Sequence, residues 1–148
     1  MDLLSDFKFN IILGSASPRR QQLLKDAGFN FKIESINADE SFSPTLQAEK
    51  IPLYLSEKKA SLYPVKLKDD EILITADTIV WIDNIVLNKP ANYFEATQML
   101  QLLSGKMHQV FTGVCLTSNK KQISFFDETK VYFKALTEKE ITYYINTT

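Results

Sequence analysis

Residues 71–82, EILITADTIVWI, constrain the chain more than any other stretch. β-branched and apolar side chains dominate the run, so it reads as a strand, yet an aspartate, Asp77, sits inside it. Stripping an ionised carboxylate of water is expensive, so a charge is seldom placed in such a run without a partner. At the end of a strand Asp77 could bind a divalent metal or act as a general base. It could equally be paired to an arginine or to backbone N–H groups and do no chemistry.

The neighbouring segments show what such a strand would pack with. FNIIL (9–13) is a short apolar run that breaks at Gly14 and predicts a buried strand. Ser17 then fits an N-cap, Pro18 the first helical position and Gly28 the stop of a helix over RRQQLLKDA. FNFKIESI (29–36) alternates and predicts a second strand, followed by a polar loop over 37–44. Pro52 and Pro64 frame a helix over PLYLSEKKASLY, 52–63.

Asp83 and Asn84 form a two-residue turn between EILITADTIVWI and IVL. Asn92 with Glu95 opens a helix over 93–104 that stops at Gly105, and Thr137 with Glu140 opens a last one. Two further strands, 108–118 and 122–136, flank a turn at Asn119 and Lys120. Helices and strands mix without strict alternation, so the expected fold is α/β or α+β, a mixed central sheet with flanking helices.

At 148 residues, 45% hydrophobic and 24% charged, the chain can bury a core within one domain. A formal net charge of -1 argues against broad, sequence-independent nucleic-acid binding, which needs a clearly basic surface. No secretory pattern opens the chain and no apolar run could span a bilayer, so a cytoplasmic protein without membrane attachment is expected. Cys115, the single cysteine, falls in the apolar VFTGVCL and reads as a small core residue. His108, the single histidine, excludes any metal site built on paired histidines and reads as structural.

One positional oddity points to a ligand. Arg19 and Arg20 stand in the first turn of the first helix, where the macrodipole already leaves roughly +0.5 charge. Free N–H groups, the Ser15 and Ser17 hydroxyls and two guanidinium forks would cradle phosphate oxygens. A capped helix with solvated arginines is the plainer alternative. Lys59 and Lys89 could neutralise phosphate or be ordinary surface residues, and Asp39 and Glu40 could help hold a metal or belong to a plain polar loop.

Four stretches carry a resemblance: LGSASPRRQQLL, SEKKA, ITADTIVWID followed by LNKP, and LSGKMHQVFTGV. In order and spacing they resemble the Maf-like nucleotide pyrophosphatases, over about Asn10 to Ile145. The resemblance implies a two-lobed fold similar to that of the inosine triphosphate pyrophosphatases. It implies hydrolysis of the α–β phosphoanhydride bond of a nucleoside triphosphate, a magnesium or manganese cofactor, a cytoplasmic homodimer and a link to septum formation.

Carried over by position, Asp77 matches the proton acceptor of the family. Ser15, Arg19 and Arg20 match its phosphate-binding motif, Lys59 and Lys89 its two basic phosphate contacts, and Glu40 lies near an acidic position associated with the metal. SPRR and ADT resemble the branch acting on dTTP and UTP, which makes Arg19 and Thr78 the expected specificity residues. Family members continue past the position of Thr148, through a segment with a further lysine and a base-recognising glutamine. The expectation is therefore one Maf-like domain over 1–148 without that segment. A non-catalytic nucleotide-binding regulator of septum formation and an inactive truncated member are the alternatives.

Overall fold

A computed structural model describes residues 8–147 of the chain. Residues 1–7 and 148, part of the expected 1–148 domain, lie outside the described residues. The elements among the described residues are β1 (Asn10–Leu13), α1 (Pro18–Asp26), β2 (Phe31–Ile33), α2 (Lys50–Ser61), β3 (Glu71–Ile82), β4 (Ile85–Leu87), α3 (Tyr93–Leu103), β5 (Met107–Thr117), β6 (Gln122–Tyr132) and α4 (Glu138–Thr147). The strands form a mixed six-stranded sheet in the order β2-β1-β3-β5-β6, with β4 pairing to β3. The chain divides into two compact units, one of Met1–Asp77 and Thr112–Phe126, the other of Thr78–Phe111 and Asp127–Thr148.

In the first unit β1 lies between β2 and β3, parallel to both, with Ile12 opposite Lys32 on one side and Leu73 on the other. Ile12, Leu73, Ala60 of α2 and Cys115 of β5 make one buried cluster. Cys115 is fully buried there, as its apolar surroundings require. Helix α2 turns Ile51, Pro52, Leu55, Ser56 and Ala60 inward, one face at helical spacing. At β5 a Cβ on Gly113 would stand 2.5 Å from the backbone of Pro52, so only glycine permits this approach.

In the second unit β3 and β4 form an antiparallel hairpin, Ile82 opposite Ile85. Its turn is the expected Asp83 and Asn84, with φ of 52° and 63°, the left-handed pair that tight hairpins use. Ile82, Leu100, Leu103 and Ile141 form the core beneath α3 and α4. Asn92 caps α3 through the Glu95 N–H at 2.9 Å, and Thr137 and Glu140 cap α4 reciprocally, each bond 3.2 Å.

Three expected boundaries are corrected, the first being β6, which ends at Tyr132 rather than at residue 136 because its partner β5 begins at Met107. β2 has three residues rather than the eight of FNFKIESI, because its partner β1 ends at Leu13. The last rung is Glu34 N–H to the Leu13 carbonyl at 2.9 Å, at the end of β1. Helix α2 opens at Lys50, two residues before Pro52. In the first helical turn proline forfeits no intrahelical bond, so it does not mark the start.

Candidate active site

The loop Gly14–Ser17 turns the end of β1 into α1. Gly14 N–H bonds the Ile74 carbonyl at 2.9 Å, which fixes the loop to β3. A Cβ on Gly14 would come within 2.7 Å of Ile36 and 3.1 Å of the Thr75 methyl, so the loop sits close on its neighbours. Ser17 is the N-cap, its hydroxyl accepting the Arg20 N–H, with Pro18 in the first turn. The Ser15 hydroxyl accepts the Ser17 N–H at 3.2 Å. No acidic residue occupies that first turn.

Successive helical side chains point about 100° apart, so the two arginines separate. Arg19 is exposed. Arg20 is half-buried and turns inward, its Nη1 donating to the Ala76 carbonyl at 3.2 Å and to Ser15 Oγ at a long 3.4 Å. Burial lowers the pKa of Arg20, opposed by the charges of Asp77 and Glu40. It remains a cation at any working pH.

Asp77 lies in the middle of β3, not at a strand end, and it is 7% exposed. It is ion-paired to a lysine, and the charge of Arg20 also acts on it. Lys59 of α2 donates from Nζ to Asp77 Oδ1 at 3.1 Å and to the Ala76 carbonyl at 3.1 Å. Its side chain is only 14% exposed, so Lys59 is no ordinary surface lysine. Burial raises the Asp77 pKa, opposed by the Lys59 charge and hydrogen bond, and Glu40 adds to the rise while Arg20 counters it. The result is a carboxylate that holds its proton more readily than a solvated one.

An open cavity of about 450 Å³ adjoins this group, walled by Gly14, Ser15, Ala16, Ile36, Asn37, Ala38, Asp39, Glu40 and Lys59. Asp39 is turned to Ser41, accepting from its N–H at 3.0 Å and its hydroxyl at 2.7 Å, and these bonds depress its pKa. This makes Asp39 a turn residue. Glu40 is exposed at the cavity wall, close enough for Asp77 and Arg20 to feel its charge. Among the described residues no three His, Cys, Asp or Glu side chains group as metal ligands.

Thus the first unit joins Ser15, Arg20, Lys59, Asp77 and Glu40 around one buried carboxylate and one open cavity. A small-residue loop at a helix N-terminus beside a half-buried guanidinium and a largely covered ammonium can take up phosphate oxygens, and a carboxylate with a raised pKa next to it can accept a proton. The family profile described as Maf-like protein matches residues 10–148. The chain belongs to the Maf-like protein family.

Its relatives include the dTTP/UTP pyrophosphatase of Phocaeicola vulgatus, 49% identical over 139 residues, which cover 93% of this Maf-like chain and 72% of that protein. The dTTP/UTP pyrophosphatase of Bacteroides thetaiotaomicron is 46% identical over 140 residues, covering 94% and 72%. The fold is similar to that of the Staphylococcus aureus Ham1 protein, with a TM-score of 0.54 at 11% identity over 83% of this chain and 71% of that one.

The remaining expected residues lie in the second unit of the Maf-like chain. Thr78 is exposed on β3 directly after Asp77. Lys89 is exposed after β4, on the wall of a cavity of about 300 Å³ with Glu95, Gln98 and Met99. A further cavity of about 500 Å³, walled by Leu100, Phe133, Leu136 and three tyrosines, is mainly apolar, and its Lys134 and Glu140 are already ion-paired. His108 is buried edge-on to Phe133, centroids 5.2 Å apart, which fits its structural reading. The Ala76 carbonyl, shared by Arg20 and Lys59, escaped the sequence reading because a main-chain acceptor has no side-chain signature.

Proposed function

We propose that this Maf-like chain hydrolyses dTTP and UTP to the nucleoside monophosphate and pyrophosphate. One observation carries the reading: Asp77 is buried, its pKa is raised, and Lys59 holds it beside a phosphate-binding loop and Arg20. The water oxygen attacks the α-phosphorus in line, its proton passes to Asp77, and pyrophosphate leaves with the bridging oxygen. A triphosphate carries about four negative charges, so Arg20, Lys59 and the loop N–H groups supply the electrostatic stabilisation.

The names of the relatives, dTTP/UTP pyrophosphatases at 49% and 46% identity, support the pyrimidine assignment. Arg19 and Thr78 as specificity residues, and Lys89 as a phosphate contact, enter through the family resemblance. The donor set fits a magnesium or manganese ion held mainly by substrate phosphates and water with one protein carboxylate, Glu40, rather than by a protein cage. Such an ion, when bound, neutralises phosphate charge. The reaction belongs in the cytoplasm, where nucleoside triphosphates are used.

Purified protein incubated with dTTP, UTP, CTP or 7-methyl-GTP and magnesium tests the assignment. Pyrophosphate is expected from dTTP and UTP, with a loss of about 10²–10⁴-fold in Asp77→Asn. Folded protein that releases none from either nucleotide, or an Asp77→Asn variant with full activity, overturns it.

A further inference from the structure

We propose that Thr75 is a positioning residue that sets the distance between the phosphate loop and the helix carrying Lys59, and so places the Lys59 ammonium on Asp77. The proposal rests on the reading of Asp77 as the water-activating base.

Thr75 occupies a fully buried position in a strand whose other buried side chains include Leu73, Ile79 and Ile82. Valine has the same shape and no hydroxyl to desolvate, so packing alone favours valine here. The hydroxyl is used: Thr75 Oγ1 donates to the Ser56 carbonyl of α2 at 2.7 Å. On its other side the Thr75 methyl lies against the loop, 3.1 Å from where a Gly14 Cβ would be. One side chain thus touches both arms of the site.

The spacing connects this bond to Lys59. Thr75 and Asp77 are two apart on a strand and share a face, about 6.6 Å along β3. Ser56 and Lys59 are three apart on a helix and also share a face, about 4.5 Å along α2. Fixing Ser56 opposite Thr75 therefore brings Lys59 within side-chain reach of Asp77, where its Nζ sits 3.1 Å from Oδ1. Ser56 is itself fully buried, its hydroxyl turned back to the Leu53 carbonyl at 2.8 Å, so its main-chain oxygen makes the link to β3.

Thr75→Val removes the hydroxyl and keeps the shape, while Thr75→Ser keeps the hydroxyl. Thr75→Val is expected to lower kcat about ten- to hundredfold with little change in KM, and to move the acid limb of the rate profile to higher pH, because a displaced Lys59 no longer opposes protonation of Asp77. Thr75→Ser is expected to restore the position of that limb. Carboxyl NMR titration of Asp77 in nucleotide-free protein supplies a readout independent of turnover: upward in Thr75→Val, unchanged in Thr75→Ser. That pattern without nucleotide hydrolysis upholds the positioning role and refutes only the activity. An Asp77 titration unaltered in Thr75→Val, or equally altered in both variants, overturns the proposal.

Discussion

A buried carboxylate and a buried ammonium at 3.1 Å each depend on the other, and removing one leaves its partner as an unpaired charge. Lys59→Met is therefore expected to impair catalysis by letting Asp77 stay protonated at higher pH, read as an upward shift of the acid limb of kcat/KM. A limb in the same place as in the wild type would show that Lys59 does not govern Asp77. In the wild type that limb should already lie above the ordinary carboxylate range, since burial raises Asp77. The sequence announced Asp77 because a charge in an apolar run demands an answer. It did not reveal the answer, because Lys59 is 18 positions earlier and the contact exists only once α2 packs on β3. Arg19 and Arg20 looked alike as letters, and only their phase on α1 tells them apart.

Local chemistry determined the elements whose signals are local. The Asn92 and Thr137 caps, the Asp83–Asn84 turn and both strands of that hairpin follow from residues that adopt their conformations without help. β2 did not, because a strand is as long as its partner allows, and the end of β1 at Gly14 cannot be read from FNFKIESI. The close approach of β5 to α2 at Gly113 is likewise invisible without tertiary contact. Gly113→Ala should cost roughly 1–3 kcal/mol, since the added methyl meets the backbone of Pro52 and not a side chain that can swing away. Urea denaturation measures it, and an unchanged midpoint would mean that α2 and β5 are less tightly apposed than described.

For the whole molecule, the mixed sheet was legible as a class from the interleaved patterns and two lobes were implied by the family resemblance, while the residues belonging to each unit were not legible, because β3, β5 and β6 each contribute to both. Global stability should carry the imprint of His108. It is 5% exposed, its Nδ1 has no hydrogen-bond partner among the described residues, and burial lowers its pKa from 6.5. The unfolded chain therefore binds a proton that the native one resists, so this contribution to stability is lost as pH falls from neutral through 6.5 toward the lowered native value. His108→Leu should flatten that dependence in denaturation curves between about pH 8 and 5.5, whereas an identical slope would place the acid sensitivity elsewhere.

In the proposed reaction Asp77 directs water to the α-phosphorus of a bound triphosphate. Hydrolysis of dTTP in ¹⁸O-labelled water reads the attacked atom from the products. The label is expected in the nucleoside monophosphate alone, with turnover abolished in Asp77→Asn. Label in the pyrophosphate would place the attack on the β-phosphorus and contradict the account.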